Sequence, residues 1–160
     1  MLRVGILSDS HGNLTKAQLA VDKMGKIDFL LHAGDFARDA YKLNLPLETV
    51  IYAVRGNCDR YSDYEDELLI TLGSFKVILT HGDAYGVKYD WLGVLERAKA
   101  EKAQAVIFGH THIPQCRWES GILLFNPGSI AAPRDGGSCS YGVWELNRQG
   151  EIYPEIYGLT

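Results

Sequence analysis

The sequence predicts an α/β domain built on two packed β-sheets, and three observations carry that reading. Short apolar runs alternate with helix-spaced segments early in the chain, short strands divided by Gly and Pro turns fill its end, and five apolar runs finish in His, Asp or Asn. The third observation bears on function. A buried strand delivers its last side chains to one sheet edge, where open α/β folds keep their ligand sites.

The alternation starts with an apolar run at 4–7, after which Leu14, Ala17, Val21 and Met24 recur at helical spacing behind Asn13, a favourable N-cap. Residues 29–32 and 50–54 follow as buried runs, with room for a short helix within 36–45 ahead of Pro46. A largely parallel sheet is expected here. Past an acidic stretch, residues 68–72 and 76–80 flank Gly73-Ser74 as a hairpin, and Trp91, Leu92, Val94, Leu95 and Ala98 mark one face of a second helix. After a run at 105–108, residues 115–118, 122–126, 141–146 and 152–157 read as an antiparallel meander. No linker, repeat or low-complexity tract interrupts residues 1–160, so one domain is expected.

Composition bounds the function. With 160 residues, 46% hydrophobic and 22% charged, the chain can bury an ordinary globular core. The net charge of -4, without long runs of one sign, speaks against a broad basic surface tracking a nucleic-acid backbone, so nucleic acid enters only as a possible substrate. No apolar run approaches the roughly 18 residues of a membrane helix, and residues 2–7 are too short for a signal peptide. Cys58, Cys116 and Cys139 are odd in number and form no CxxC pair, which fits a reducing cytoplasm better than a disulfide framework.

The strand-end residues carry the chemistry. All five histidines, His11, His32, His81, His110 and His112, sit at or just after an apolar run. Asp9 with His11, and His110 with His112, are two residues apart, so each extended pair can aim both side chains to one side. Adding Asp35, Asn57 and His81 gives seven donors, more than the four that one tetrahedral zinc takes. The mixture of carboxylate, amide and imidazole suits two divalent ions sharing a carboxylate. Such a pair would trap a bridging hydroxide acidic enough to attack phosphorus near neutral pH. Two ions held by two carboxylates would also leave about two positive charges to attract a phosphate.

Asp9-Ser10-His11, Gly34-Asp35, Gly56-Asn57-Cys58-Asp59, His81-Gly82-Asp83 and Gly109-His110-Thr111-His112, in that order, resemble the signature blocks of the calcineurin-like metallophosphoesterases. With Asn126-Pro127-Gly128-Ser129 downstream, the chain is most similar to the small bacterial and archaeal phosphodiesterases related to the retromer subunit of the same fold. The resemblance implies a four-layer sandwich of two mixed β-sheets flanked by helices. It implies that Asp9, His11 and His112 hold a first metal, that Asp35 bridges, and that Asn57, His81 and His110 hold a second, with Asp35, Asn57 and His81 at the centre of catalysis. Mn is the first choice of ion, with Ni, Fe, Co or Zn also compatible.

Cys58 departs from the pattern, since many superfamily members carry His after the Asn ligand, where it can protonate the leaving oxygen or bind substrate phosphate. A thiol with an ordinary pKa of about 8.5 is neutral and replaces a cationic acid poorly. The expected function is therefore a dinuclear metal-dependent phosphodiesterase acting on a small phosphodiester, in which a metal-bridging hydroxide attacks phosphorus. A non-catalytic interaction scaffold and a phosphomonoesterase are the alternatives, the latter disfavoured by Cys58. Besides Cys58, Arg55 and Arg134 are candidates for gripping substrate phosphate through the planar guanidinium. His32 reads as a supporting or core residue, and Asp59 and Asp83 as residues that orient ligands or shape turns. Tyr61, Tyr64, Tyr85, Tyr89 and Trp91 could form a wall for a nucleobase, core, or a contact in a small homo-oligomer.

Overall fold

A computed structural model describes residues 1–160. The elements run β1 (Leu2–Leu7), α1 (Leu14–Met24), β2 (Phe29–His32), β3 (Val50–Ala53), β4 (Glu67–Leu72), β5 (Phe75–Thr80), α2 (Leu92–Glu101), β6 (Ala105–Ile107), β7 (Gln115–Glu119), β8 (Ile122–Asn126), β9 (Ser140–Leu146) and β10 (Ile152–Gly158). One sheet has the order β10-β9-β1-β2-β3 and the other β4-β5-β6-β8-β7. Both are mixed. The first joins parallel β1, β2 and β3 to the antiparallel β9 and β10, and the second joins parallel β5, β6 and β8 to the antiparallel β4 and β7.

Three apolar clusters stack these layers. The central one joins the inner faces of both sheets through Val4, Leu31, Val77, Ile107, Phe125 and Trp144, with Phe125 edge-on to Trp144 at 5.1 Å between ring centroids. A second lies between α1 and the outer face of the first sheet, through Ala17, Val21, Met24 and Leu30, and a third places Val94 and Ala98 of α2 over Ile78, Val106 and Leu124. The result is the expected sandwich of two mixed sheets flanked by helices.

Local rules account for the helix starts. The Asn13 side chain accepts the Lys16 N–H at 3.1 Å, capping α1, while Asp90 accepts the Leu92 N–H at 2.9 Å just ahead of α2. The short helix expected before Pro46 is a 3-10 segment, Ala37–Lys42. Two expectations need correction. The final four strands are not one meander: β7 and β8 form a hairpin on the second sheet, whereas β9 and β10 cross to the first, where β9 pairs with β1. Leu92 does not belong to the buried face of α2, because as the first helical residue it turns to solvent and is 66% exposed.

Parallel pairing is what concentrates the site. All six parallel strands point their C-terminal ends to one rim, and the loops that leave them carry Asp9 and His11, Asp35, Asn57, His81, and His110 and His112, with Asn126 ending β8.

Candidate metal centre

The rim loops are held in backbone conformations that side chains rarely adopt. Asp9, His11, Asp35, His110 and His112 all have positive φ, between 46° and 68°, and they are five of only eight non-glycine residues that do. Each costs of order 1 kcal/mol or more, so the surrounding structure must enforce them. Two glycines allow the loops to close together. A Cβ on Gly56 would lie 2.2 Å from Asp35 Oδ1, and one on Gly109 would lie 2.0 Å from Ser8 Oγ and 2.6 Å from Asp9 Oδ2. Nothing larger than glycine fits at either position.

Asp9, His11, Asp35 and His112 bring one donor atom each to within 4.8 Å of one another. His112 Nε2 is 3.1 Å from Asp9 Oδ1, and His11 Nε2 is 3.6 Å from Asp35 Oδ2. A second group adjoins the other oxygen of the same Asp35 carboxylate. His81 Nε2 lies 3.5 Å from Asp35 Oδ1, 3.0 Å from Asn57 Oδ1 and 3.2 Å from His110 Nδ1. All seven residues that sequence reasoning singled out as donors therefore converge, in two groups that meet at Asp35.

The donor chemistry fits cations. Nδ1 of His112 donates to the Ala132 carbonyl and Nδ1 of His81 to the Ala33 carbonyl, each at 2.7 Å, so Nε2 of each ring faces the centre and offers a lone pair whenever it carries no proton. There it meets carboxylate and amide oxygens, acceptor against acceptor. Asp9 Oδ1 and His11 Nε2 are buried without a hydrogen-bond partner. Such an arrangement is repulsive unless a proton or a cation sits between the atoms. A proton on His112 Nε2 plays that part where no cation does: burial pushes the Asp9 carboxyl up, yet the hydrogen bond that such a proton makes from His112, the His81 charge and Ser8 together hold it below its usual range. The Asp9 hydrogen bond raises His112 against the effect of burial, whereas burial, followed by the His81 charge, lowers His110. Asp9 is thus an anion in the cavity, ready to ligate.

Supporting residues tie the loops together, and most were not apparent in the sequence. His32 is fully buried and does not line the centre. Its Nδ1 accepts the Gly34 N–H at 3.2 Å, so Nε2 donates to Ser10 Oγ at 2.8 Å. The Ser10 hydroxyl donates to Asp39 Oδ2 at 2.7 Å, and that oxygen also accepts the Gly12 N–H at 2.8 Å. Burial lowers His32 to about 4, so the ring is neutral at pH 7. Asp59 accepts the N–H groups of Gly56 and Phe36, both at 2.9 Å, joining the third loop to the second. Asn126 donates to the Gly109 carbonyl at 2.9 Å, and Ser129 Oγ to the Asp9 carbonyl at 2.8 Å. Asp83 is exposed and opens a 3-10 turn.

The substrate-gripping candidates divide. Arg55 forks onto Asp66 through two 3.0 Å hydrogen bonds and donates to the Ser62 carbonyl at 3.4 Å, so its guanidinium is occupied away from the centre. Arg134 is exposed in a groove beside Thr111, and Cys58 is exposed beside Asn57. Partial desolvation, then the Asp35 and Asp59 carboxylates, push the Cys58 thiol up to about 11, which keeps it neutral. Tyr85 donates to Glu67 and packs beside α2, so it is not part of an aromatic wall. Arg38 and Arg60 line the groove that Asn57 and Cys58 border, with no sequence signal beyond their charge.

Known proteins share this architecture. The probable metallophosphoesterase YsnB of Bacillus subtilis (strain 168) is 38% identical over 146 residues, covering 91% of this chain and 85% of that protein. Phosphodiesterase YfcE of Escherichia coli (strain K12) is 29% identical over 170 residues, covering 89% and 87%. Wild-type Vps29 complexed with Zn2+, from Entamoeba histolytica, shares the fold at a TM-score of 0.72 and 19% identity, covering 99% of this chain and 100% of that one. No helix of the chain is long and apolar enough to cross a membrane. The model of the calcineurin-like phosphoesterase superfamily domain matches residues 2–149, and with the relatives above it makes the chain a member of that superfamily, a metallophosphoesterase with a candidate site for divalent metal at Asp9, His11, Asp35 and His112.

Proposed function

We propose that the protein is a dinuclear metal-dependent phosphodiesterase. The observation that carries this reading is the placement of Asp35: its Oδ2 lies 3.6 Å from His11, of the group with Asp9 and His112, and its Oδ1 lies 3.5 Å from His81, which itself adjoins Asn57 and His110. One carboxylate presenting an oxygen to each group is what a shared ligand requires. When bound, two divalent ions supply an acidified water as nucleophile and positive charge for the phosphate oxygens. Asp9 and Asp35 provide the anionic ligands, the carbonyl-anchored rings of His81 and His112 aim Nε2 at fixed positions, and exposed Asn57 and half-exposed His110 leave the second group open to substrate. Cys58 stays protonated and neutral beside Asn57, which favours diesters with good leaving groups over monoesters.

The similarity to the phosphodiesterase YfcE supports the diester reading. Mn is the first choice of ion, ahead of Ni, Fe, Co and Zn, since oxygen and imidazole donors tolerate all of them. The three free cysteines suit a reducing cytoplasm. A scaffold reading has one observation in its favour: Vps29 of this fold has been crystallised with Zn2+, so a filled metal site does not by itself separate enzyme from interaction module. Turnover does. Metal-stripped protein given Mn, Ni, Zn or Mg separately should hydrolyse bis(p-nitrophenyl) phosphate with at least one ion, Mn foremost, and p-nitrophenyl phosphate slowly. No metal-dependent turnover with any ion would put the scaffold ahead.

A further inference from the structure

Two grooves flank the metal centre, and their linings match. One, of about 850 Å³, is bordered by Arg38, Asn57, Cys58, Arg60, Tyr61 and Tyr64, from loops of the first sheet. The other, of about 590 Å³, is bordered by Lys88, Tyr89, Trp91, Thr111, Ile113 and Arg134, mostly from loops of the second. Both volumes fall in the range of roughly 300–1,000 Å³ typical of small-molecule sites. The centre lies between them. Asn57 borders the first groove and stands 3.0 Å from His81, His81 stands 3.2 Å from His110, and His110 precedes Thr111 of the second groove.

Each groove holds a nearly bare aromatic ring and an arginine outside any ion pair, Arg60 in the first and Arg134 in the second, while Arg38 lies 5.6 Å over the Phe36 ring. Tyr61 is fully exposed and Tyr89 is 91% exposed, whereas Trp91 already has Arg117 over its face at 4.3 Å and Tyr64 stacks on Tyr41. Of the eight arginines, Arg3, Arg55, Arg97 and Arg117 are ion-paired. Three of the remaining four, Arg38, Arg60 and Arg134, border the grooves. The acidic groups present do not cancel them all. Asp59 is occupied by the Gly56 and Phe36 N–H groups and Asp90 by the Leu92 N–H, leaving Asp63 in the first groove.

From this juxtaposition, and resting on the phosphodiesterase reading above, we infer that the substrate is a linear dinucleotide or short oligonucleotide, with the scissile phosphate at the metals and one base-bearing arm in each groove. An open aromatic face beside unpaired cations is the combination that binds bases and flanking phosphates of single-stranded nucleic acid. The occupancy of both grooves separates this class from cyclic mononucleotides, which fill one groove, and from glycerophosphodiesters, which have no ring to stack.

The test separates binding from turnover. A charged dinucleotide analogue whose bridging oxygen is replaced by methylene cannot be cleaved there, and its affinity for the Mn-supplemented protein is read by calorimetry alongside a nucleoside methyl phosphate and glycerophosphocholine. The dinucleotide analogue should bind at least tenfold more tightly than either. Tyr61→Ala and Tyr89→Ala should each weaken it about tenfold, since stacking on one ring contributes that order per base. Both variants should keep the wild-type circular-dichroism spectrum and Mn content, which shows that they fold. Equal affinity for one-base and two-base ligands, or unchanged affinity in either variant, overturns the inference even if diester turnover is normal. Tight, tyrosine-dependent binding with no turnover of the natural-linkage dinucleotide would leave the grooves a binding site but overturn the substrate assignment, and loss of activated-diester turnover as well would remove the catalytic reading.

Discussion

The two halves of the metal centre share Asp35 but live in different surroundings. Asp9 and His112 lie buried, and beneath their loop runs the buried network of His32, Ser10 and Asp39. Across the carboxylate, Asn57 is exposed and His110 half-exposed, and Asn57 borders a groove. Ligands braced by buried hydrogen bonds lose little freedom when an ion binds, whereas exposed ligands must be ordered from solvent. On the proposed dinuclear reading, the first half is the retained site. On the same reading, the second is the exchangeable one that meets substrate.

That contrast can be broken at its hinge. Asp35→Asn removes the anion both halves share, so Mn content should fall in both, and turnover of bis(p-nitrophenyl) phosphate should drop by more than about a hundredfold. The circular-dichroism spectrum should stay native, because the residue lies in the loop after β2 and belongs to none of the apolar clusters. Metal analysis beside kinetics checks this, and normal metal content with normal rate would remove Asp35 from the bridge.

A smaller effect should appear on one side only. Ser10→Ala deletes the hydroxyl that links His32 to Asp39 while leaving all seven donors in place. The tighter of two Mn dissociation constants should weaken about 10- to 100-fold, the usual consequence of losing a residue that orients ligands, while the weaker one moves little. Stability should fall by about 1–3 kcal/mol, since the buried His32 N–H and one Asp39 contact lose their partner. Equal weakening of both constants would erase the distinction between the halves.

The smallest change concerns the exposed side alone. Cys58→His places a group that can be cationic next to Asn57, and hydrolysis of p-nitrophenyl phosphate should rise about tenfold while activated diesters change little. A parallel panel of monoesters and diesters measures it, and unchanged monoester rates would show that the neutral thiol is not what limits them.

Much of this centre was legible because strand ends are legible. Each donor follows an apolar run, and parallel strands deliver such ends to one rim, so linear order sufficed to gather seven residues from five loops. The sheet partners of the last strands were not legible. Residues 115–118, 122–126, 141–146 and 152–157 read as one antiparallel meander, because local pattern says nothing about which sheet's edge each hairpin completes. Nor were the positive φ angles of Asp9, His11, Asp35, His110 and His112, which packed loops impose and which residue type disfavours. Asp39 carries no signal in the sequence, since only the folded loop brings it under Ser10, and Arg55 read as a phosphate-gripping candidate because nothing local shows that Asp66, eleven residues on, takes its guanidinium.

Counting ions tests the shared carboxylate most directly. Equilibrium dialysis against Mn2+, read by atomic absorption, should give two ions per wild-type chain, one in Asn57→Ala with that ion still tightly held, and one weakly held in His112→Ala. A single Mn2+ per wild-type chain at saturation, unchanged by Asn57→Ala, would contradict two half-sites joined at Asp35.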